Sequence, residues 1–369
     1  MIVLIATDAW HPQINGVVRT LEALRRSLTE RGAIVEFLTP EGFPSLKVPT
    51  YPGLRCAIPN SRDIARRISC AAPDAIHIAT EGPIGLAVRR YCLKRGIPFT
   101  TSLTTRFAEY VSARFPVPVS WGYAALRRFH SAAAATMVST PSLMSELEER
   151  GFANLRMWSR GVDTELFHPS RAANLDLPRP IFMNVGRIAI EKNMDAFLSL
   201  DLPGSKVVIG HGPQEAELRT RYPDVAFLGA MSGESLAAHI AAADVFVFPS
   251  LTDTFGIAQL EALASGVPVA AFPVTGPLDV IGSASVGSLN QDLRQACLDA
   301  LAISRDACRA HALGFSWARS AAQFLANLHP VRVEAAHELP TASARASVFG
   351  NDAGIPTEQF DRRRWSGNR

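Results

Sequence analysis

The sequence is poor in cysteine and in charged residues, and both shortages set aside a class of protein. Its five cysteines form no CxxC pair and show no metal-ligand spacing with histidine. Such a scatter is typical of buried thiols in a reducing compartment and not of a disulfide framework. Charged residues make up 19% of the chain and the net charge is only +3, too small a surplus to indicate a nucleic-acid partner. The cysteines are Cys56, Cys70, Cys92, Cys297 and Cys308.

Segments that would carry the chain into or across a membrane are also lacking. One of the longest charge-free stretches, 262–278, is interrupted by Pro268, Pro273 and Pro277 and would not run as a membrane helix. The N-terminus, MIVLIATDAW, has neither the basic start nor the long apolar core of a signal peptide. We therefore expect a cytoplasmic protein, with peripheral contact at the inner face of a membrane left open.

What the chain does contain is an alternation of short apolar runs with segments of helical length. Hydrophobic residues make up 47% of the 369 residues, which is enough for two cores. Short apolar strands separated by helices predict parallel sheets built from βαβ units. The predicted strands are 2–6, 33–38, 75–79, 98–103 and 136–140 in the first half, and 181–186, 206–210, 225–229, 244–250 and 267–272 in the second.

The strand pattern restarts after a polar, proline-rich stretch at 163–180. We therefore predict two doubly wound, Rossmann-like α/β domains that face each other across a cleft at the carboxyl ends of their sheets. We expect the first domain at 1–168, the second at 169–314 and a closing amphipathic helix at 315–328. The tail at 329–369 has few large apolar residues, and we expect it to be disordered.

The most informative segment is FPSLTDTFGIAQLEALASGVPV, residues 248–269, which places Asp253 and Glu261 on either side of a predicted helix start. Free backbone N–H groups near Phe255 and Gly256, with the helix dipole, would form an anion site there. Glycine would let a ligand approach the backbone closely, and Asp253 would then accept hydrogen bonds from hydroxyl groups. The alternative is a capping acid followed by a partly exposed glutamate on the helix flank.

Two more strand ends of the second half carry residues suited to phosphate. NVGRIAIEKNMD, residues 184–195, presents Arg187 and Lys192 on one strand-to-helix connection, and two cations so placed suit a diphosphate. VVIGHGPQEAEL, residues 207–218, adds a turn that contains Gly210 and Gly212. Taken singly, the first segment is compatible with a solvated loop and the second is a weak signal. Three such loops in order along one sheet edge are much less expected by chance.

Together these segments resemble the nucleotide-sugar-binding half of the GT-B glycosyltransferases, specifically the retaining enzymes of glycosyltransferase family 4. That family has a GR-x4-K segment, a G-x-GP turn and an E-x7-E segment that runs into EA-x-A-x-G-x-P. This chain has GRIAIEK, GHGP and D-x7-E followed by ALASGVPV. In the first half, DAWHPQINGVVRT, HIATEGPIGLAVRR, TSLTTRFAEY and RGVDTELFHP resemble the subgroup of mannosyl-, glucosyl- and sulfoquinovosyl-transferases that act on lipids. The resemblance covers roughly residues 1–328.

The resemblance implies a role for each matching residue. Arg187 and Lys192 would bind the diphosphate and stabilise it as the leaving group. Asp253, with the backbone of residues 254–257, would hold hydroxyls of the donor sugar, and Glu261 would accept hydrogen bonds from the ribose. The implied donor-binding set is Asn15, Gly16, Gly210, Gly212, Thr254, Phe255, Gly256, Ile257 and Glu261, with Thr104 and Arg160 on the acceptor or sugar side.

Two positions depart from the family pattern. Asp253 stands where the family usually has glutamate, and because aspartate is shorter by one methylene the sugar preference would differ. Thr104 stands where the family usually has histidine, and threonine hydrogen-bonds but does not titrate near neutrality. No Asp-x-Asp occurs in the sequence. We therefore expect no metal ion and no other cofactor, with protein cations neutralising the departing diphosphate as is general in GT-B enzymes.

Basic residues recur on predicted helices of the first half, several of them close in sequence to aromatic residues. Anionic membrane surfaces attract such clusters by about 1 kcal/mol per basic residue, which would suit an enzyme that takes a lipid acceptor. Ordinary solvated helix faces are the alternative. The basic residues are Arg62, Arg66, Arg67, Arg89, Arg90, Lys94, Arg95, Arg127 and Arg128, and the aromatic residues are Tyr91, Phe115, Trp121 and Tyr123.

The sequence thus predicts a retaining hexosyltransferase that uses GDP-mannose or a UDP-hexose and a hydroxyl of a lipid or glycan acceptor. Two alternatives stay open. One is a non-catalytic nucleotide-sugar-binding protein, which the departures at Thr104 and Asp253 would permit; it would bind a labelled donor saturably without transfer. The other is a sugar epimerase of the same fold, which would release nucleotide and modified sugar with no acceptor present.

Overall fold

A computed structural model describes residues 1–11, 15–47, 55–112 and 115–331. The tail that the sequence predicts to be disordered lies outside the described residues from position 332 onward. The strands are β1 Ile2–Ala6, β2 Ile34–Leu38, β3 Ser45–Lys47, β4 Arg55–Ala57, β5 Ala75–Ile78, β6 Thr100–Leu103, β7 Ala135–Val138, β8 Leu155–Met157, β9 Ile181–Val185, β10 Ser205–Ile209, β11 Ala226–Gly229, β12 Val245–Phe248, β13 Val269–Ala271 and β14 Gly287–Leu289.

Helices connect most of these strands, and 3-10 turns occur at Pro169–Arg171 and Ile190–Lys192. The helices are α1 Gly16–Glu30, α2 Ser61–Ala71, α3 Pro83–Arg95, α4 Phe107–Ser112, α5 Val119–His130, α6 Pro141–Glu149, α7 Met194–Leu198, α8 Glu215–Arg221, α9 Gly233–Ala242, α10 Ile257–Ala264, α11 Pro277–Ile281, α12 Leu293–Ala300, α13 Arg305–Ala312 and α14 Trp317–Asn327.

Two six-stranded sheets organise the described residues, and their strands pair in parallel. The first sheet has the order β2-β1-β5-β6-β7-β8 and the second has the order β11-β10-β9-β12-β13-β14. In each sheet the chain first builds outward on one side and then crosses to the other side of its first strand. This reversal is the topological switch point of a doubly wound sheet, where ligands bind in the crevice outside the carboxyl ends of the strands. A short antiparallel hairpin of β3 and β4 lies outside both sheets.

Apolar residues on both faces of each sheet form the cores. In β9, Ile181 and Met183 pack into one cluster while Phe182 packs into the cluster on the opposite face. Alternate side chains of a strand point to opposite faces, and a strand covered on both sides needs apolar residues at nearly every position. This explains why the central strands read as continuous apolar runs in the sequence.

The last helix returns to the first half of the chain. Phe324 of α14 is buried in the cluster that contains Val3, Ile5 and Trp158. Trp158 Nε1 donates to Ser320 Oγ at 3.1 Å, and Asn327 Nδ2 donates to the Met157 carbonyl at 2.8 Å. The helix predicted at 315–328 therefore closes the chain against the core of the first sheet.

The five cysteines are all free thiols. Cys92, Cys297 and Cys308 are buried, as the sequence predicts, and Cys70 is intermediate. The expectation of buried thiols is wrong for Cys56, which is exposed. It lies in the short hairpin strand β4, which belongs to neither six-stranded sheet.

Candidate active site

The switch point of the second sheet lies between β9 and β12, which pair in parallel at Phe182–Val245 and Met183–Phe246. The loop after β9 and the loop after β12 consequently leave the same sheet edge side by side. Asn193 Nδ2 donates to the Pro249 carbonyl at 3.1 Å, and Ser250 Oγ donates to the Glu191 carbonyl at 3.1 Å. These bonds hold the GRIAIEK segment against the segment that carries Asp253.

The two predicted cations lie at this junction. Lys192 Nζ donates to both carboxylate oxygens of Asp253 at 2.7 Å. Arg187 pairs with Glu191, whose side chain is 2% exposed, while the Arg187 side chain keeps 38% of its surface accessible. Arg187 is therefore paired with a buried acid, while part of its own side chain remains accessible. Lys192 and Asp253 thus form an ion pair, and Arg187 lies on the same loop after β9. The predicted part of these three residues in donor binding stays a prediction.

Gly256 forms the start of α10. Its φ is 78°, and a Cβ there would lie 2.5 Å from Gln259 Nε2 and 2.6 Å from Phe248 Cζ. Only glycine adopts this left-handed conformation without strain. No side chain caps the helix at this position. The alternative of Asp253 as a helix-capping acid is therefore excluded.

Thr254, Phe255 and Ile257 surround this helix start. Thr254 and Phe255 are buried, at 8% and 5% exposure, and Ile257 is partly buried against the core beneath. Phe255 packs in the hydrophobic core of the second half, which explains an apolar residue at this position. Their predicted part in donor binding through the backbone stays a prediction.

Glu261 lies one helical turn further along α10 and is buried, with 5% of its surface exposed. The alternative of a partly exposed flank glutamate is therefore excluded. Its carboxylate meets Arg19 of α1, whose Nη1 lies 3.1 Å from Oε1 and 3.5 Å from Oε2. Burial raises the pKa of the Glu261 carboxyl above its usual range, and the Arg19 guanidinium offsets part of that rise.

Gly210 and Gly212 follow β10 at the carboxyl edge of the second sheet, where close packing of the backbone requires glycine. A Cβ on Gly210 would lie 1.8 Å from the Gly186 carbonyl oxygen, and one on Gly212 would lie 2.1 Å from the Ile188 carbonyl oxygen. Both glycines thus allow the loop after β10 to pack against the backbone of the GRIAIEK segment. Contact with a donor at these glycines remains a prediction.

Residues of the first half reach the same junction. Thr254 Oγ1 donates to the Thr104 carbonyl at 2.8 Å, and Ser139 Oγ donates to the Thr254 carbonyl at 3.2 Å. Thr104 follows β6 at the carboxyl edge of the first sheet. The two sheets therefore present their carboxyl edges to each other, and Thr104 lies directly beside the loop that follows β12.

Asn15 and Gly16 lie at the switch point of the first sheet, after β1. The Asn15 side chain accepts hydrogen bonds from Val17 N and Val18 N, each at 3.0 Å, and so caps α1. Among the described residues, a Cβ on Gly16 would meet nothing within 4 Å, so packing against them does not explain the glycine. An accessible glycine at a helix start is compatible with the predicted approach of a phosphate.

Arg160 is buried in the first half. It is 4% exposed, its Nη1 donates to the Trp158 carbonyl at 2.7 Å and its guanidinium stacks on the Trp158 ring at 4.1 Å. Burial lowers the pKa of Arg160 to about 9. The described contacts of Arg160 are with its own neighbours in the chain, and its predicted contact with acceptor or sugar stays a prediction.

Three residues of the candidate site were not singled out from the sequence. Arg19, Tyr110 and Glu191 lie inside the quoted segments NGVVRT, TSLTTRFAEY and GRIAIEK. Burial raises the pKa of the Tyr110 phenol, and the nearby negative charges of Asp253 and Glu191 raise it further while Arg187 lowers it. Tyr110 of α4 therefore lies within electrostatic range of the Arg187 and Asp253 groups. The proximity of Tyr110 to Arg187 and Asp253 becomes visible only in the folded chain, because these residues are far apart in sequence and lie on loops of different sheets.

The described part of the chain contains neither a metal-ligand cluster nor a membrane-spanning helix. No group of three or more His, Cys, Asp or Glu side chains is placed to hold a metal ion. Among the helices in these ranges, none has the length and apolar character needed to span a membrane.

Comparison with known proteins gives a related family for each half. The family described as Glycosyltransferase Family 4 matches residues 14–166, and the family described as Glycosyl transferases group 1 matches residues 179–302. A GDP-mannose-dependent alpha-mannosyltransferase from Mycobacterium tuberculosis is 31% identical over 316 residues, which cover 78% of this chain and 83% of that protein. The sulfoquinovosyl transferase SQD2 from Arabidopsis thaliana is 29% identical over 299 residues, which cover 73% of this chain and 58% of that protein.

Solved structures show the same arrangement of two sheets. A sucrose-phosphate synthase from Thermosynechococcus elongatus superposes with a TM-score of 0.71 at 20% identity, over 88% of this chain and 97% of that one. Anabaena HepE in complex with UDP-glucose superposes with a TM-score of 0.67 at 16% identity, over 89% of this chain and 100% of that one. At these identities the likeness establishes the fold, and it confirms the predicted GT-B arrangement of two doubly wound α/β domains.

Proposed function

The chain is a hexosyltransferase that belongs to glycosyltransferase family 4, and we propose that it transfers a hexose, with retention of configuration, from a nucleoside-diphosphate sugar to a hydroxyl of a lipid or glycan. The observation that carries this proposal is the cluster of Arg187, Lys192 and Asp253 beside the uncapped start of α10, at the switch point of the second sheet. The domain bounds at 168/169 and 314/315 remain part of the proposal.

The proposed chemistry is stabilisation of a leaving group. As the bond between the anomeric carbon and the diphosphate oxygen breaks, negative charge develops on the diphosphate. Arg187 and Lys192, together with the N–H groups at the start of α10, would bind that charge. Because both cations are already held by acids, they would not need to reorganise during the reaction. This positive charge is our reason for proposing a metal-independent transfer.

Asp253 and Glu261 would bind the two ends of the donor. Asp253 lies at the helix tip, where it would accept hydrogen bonds from hydroxyls of the sugar being transferred. Glu261 lies deeper, on the next turn of α10, where it would accept hydrogen bonds from the ribose. Each carboxylate has a basic partner within the chain, and its oxygens can accept hydrogen bonds from hydroxyl groups.

GDP-mannose is the first donor to test. The Mycobacterium tuberculosis relative is described as a GDP-mannose-dependent alpha-mannosyltransferase, and this chain covers 83% of it. SQD2 is described as a sulfoquinovosyl transferase, so donors other than GDP-mannose are tested next, beginning with the UDP-hexoses that the sequence leaves open. Asp253 in place of the family's usual glutamate would set the sugar preference, since it leaves more room above Lys192.

The surface next to the cleft supports a lipid acceptor. Phe107 and Val111 of α4, Phe115, and Trp121 of α5 are exposed large apolar residues; we call them the α4–α5 apolar patch. Trp121 is 70% exposed, and exposed Arg127 and Arg128 lie on the same helix. Aromatic and basic groups together suit the interface of an anionic membrane, and we propose that the patch docks there, at the inner face of a cell membrane.

Some residues of the predicted basic clusters do not contribute to this surface. Arg67 is buried and stacks on Phe43 at 4.2 Å, and Arg89 donates to the Phe129 and Arg128 carbonyls at 2.8 and 2.9 Å. Their place in the prediction was wrong because basic side chains also serve as packing and hydrogen-bonding groups inside a fold.

The test is transfer from labelled GDP-mannose, then from UDP-hexoses, to a panel of lipid and glycan acceptors. Charge-assisted hydrogen bonds contribute roughly 1.5–3 kcal/mol each, and 1.36 kcal/mol is about a factor of ten in rate. We therefore expect Arg187→Ala to lower turnover at least about tenfold. Arg221→Ala is the matched control, since Arg221 is also partly exposed and paired with acids, at the far end of α8.

Turnover of Arg187→Ala equal to the wild type would contradict the proposal. Saturable donor binding without transfer to any acceptor would instead favour a non-catalytic binding protein. Release of nucleotide and altered sugar in the absence of acceptor would favour an epimerase.

A further inference from the structure

Arg19 and Glu261 form an ion pair between the two halves of the chain. They lie 242 positions apart, and Arg19 Nη1 reaches Glu261 Oε1 at 3.1 Å. Arg19 lies in the first turn of α1, after the switch point of the first sheet, and Glu261 lies in α10, after the switch point of the second. The pair therefore joins the two places where the doubly wound sheets present their loops.

The surroundings of Glu261 explain why it needs this partner. Its side chain is 7% exposed and the Arg19 side chain is 33% exposed, so the acid is deep and the base lies at the rim. Burying an unpaired carboxylate is costly, and such a group takes up a proton instead. Burial raises the pKa of Glu261, and Arg19 is the charged group that lowers it again.

The contact leaves part of the carboxylate available. Arg19 approaches with Nη1 alone, at 3.1 Å from Oε1 and 3.5 Å from Oε2. An ionised carboxylate offers roughly four acceptor positions on its two oxygens. Hydroxyl groups can therefore bind Glu261 while the ion pair stays in place.

We propose that Arg19 is a positioning residue for the nucleoside end of the donor: its guanidinium holds the Glu261 side chain in place for the ribose hydroxyls. This inference rests on the proposed function. It means that the ribose site, built in the second half, is complete only when α1 of the first half is docked against α10. Ribose binding and closure of the two halves then favour each other, since coupling between two equilibria is reciprocal.

The test compares nucleotides that differ only in the ribose hydroxyls. GDP and UDP are titrated by calorimetry into the wild type, and the nucleotide that binds is paired with its 2′,3′-dideoxy counterpart. Since hydrogen bonds to charged groups are strong, we expect Arg19→Met to weaken binding of the ribonucleotide at least about tenfold. Binding of the dideoxy nucleotide is expected to change less than about threefold. In the transfer assay the donor KM rises while kcat at saturating donor stays close to the wild type.

Three further variants separate positioning from a merely structural role. Arg19→Lys keeps the charge and is expected to recover part of the lost affinity. Glu261→Gln combined with Arg19→Met is expected to bind no more weakly than Glu261→Gln alone, because the two residues act as one unit. Arg26→Met changes an exposed arginine of the same helix and is expected to bind as the wild type does.

Equal losses for the ribonucleotide and the dideoxy nucleotide would overturn the inference, as would unchanged binding by Arg19→Met. Either result leaves the proposed function standing if the wild type binds GDP or UDP and transfers a sugar. A wild-type chain that binds neither nucleotide would contradict the proposed function, and the inference with it.

Discussion

The charged side chains of the candidate site lie in pairs of opposite sign, with the acid always deeper than its base. The acids are 2%, 15% and 7% exposed, against 38%, 24% and 33% for the bases. Because a buried charge without a partner is costly, the acids fix the positions of the bases whether or not a ligand is bound. The three pairs are Glu191 with Arg187, Asp253 with Lys192 and Glu261 with Arg19.

His77 gives a residue-scale prediction about pH. It is fully buried in β5, between Thr100 Oγ1 at 2.9 Å and Ser102 Oγ at 3.2 Å. Burial lowers its pKa from 6.5 to about 3, and the positive charges of Arg160 and His130 add to the effect. Below pH 6.5 the unfolded chain therefore binds a proton that the folded chain does not, so the stabilising contribution is present above pH 6.5 and lost as pH falls.

We expect this single group to lower the free energy of unfolding by about 2 kcal/mol between pH 6.5 and pH 4.5, at about 1.36 kcal/mol per pH unit once the unfolded histidine is protonated. His77→Gln should be less stable than the wild type at pH 7 but should lose less stability over that interval. Urea titrations of both proteins at pH 6.5 and pH 4.5 measure how much stability each one loses. The contributions of all other acids and bases cancel when the two losses are subtracted. Parallel losses in both proteins would contradict the account.

At the scale of elements, most strands and helices follow from local pattern. Continuous apolar runs predicted β1, β9, β10 and β12, and Gly266 and Pro268 predicted the end of α10. The three-residue strands β8 and β14 and the hairpin of β3 and β4 were not predicted. Edge strands of three residues carry too few apolar positions for a period to show, and their pairing is decided by neighbours that are distant in sequence.

The start of α10 gives an element-scale prediction. Gly256 and Gly32 both have a φ of 78°, but a Cβ on Gly256 would lie 2.5 Å from Gln259 Nε2, whereas one on Gly32 would meet nothing within 4 Å. Gly32→Ala should therefore cost only the backbone strain of roughly 1–2 kcal/mol. Gly256→Ala should cost about 1–3 kcal/mol more, since the Phe248 ring and Gln259 must move, and it should weaken donor binding.

Thermal unfolding and nucleotide titration of the two glycine variants give the comparison. Equal melting temperatures for Gly256→Ala and Gly32→Ala would show that the space around the start of α10 does not restrict position 256 to glycine. Full donor affinity in Gly256→Ala would contradict the role of the uncapped helix tip.

At the scale of the whole molecule, sequence reasoning finds each loop but not the way the loops meet. Arg187, Lys192 and Asp253 lie in recognisable segments, where Arg187 pairs with Glu191 and Lys192 pairs with Asp253. The pairing of Arg19 with Glu261 and of Thr104 with Thr254 depends on how two sheets face each other. No local periodicity encodes that orientation, so residues such as Arg19 and Tyr110 emerge only from the folded chain.

The α4–α5 apolar patch gives a prediction for the assembled molecule. We expect the wild type to co-sediment with vesicles that contain anionic lipid and to bind zwitterionic vesicles more weakly. Replacement of Phe115 and Trp121 together by glutamine should lower vesicle binding at least about tenfold, because each ring loses its contact with the acyl chains.

Leu313→Gln is the control for this patch, since Leu313 is 55% exposed and lies after α13 in the second half. It should bind vesicles as the wild type does. Equal binding by the patch variant and the control would assign the attachment to another surface, and absence of wild-type binding would contradict membrane docking.

A crystal structure of the chain with bound GDP or UDP tests the central claim most directly. The account predicts the diphosphate between the Arg187 guanidinium and Lys192 Nζ at the start of α10, with the ribose hydroxyls on Glu261. A nucleotide bound at another place, or Arg187 and Lys192 turned into solvent away from Gly256, would contradict it.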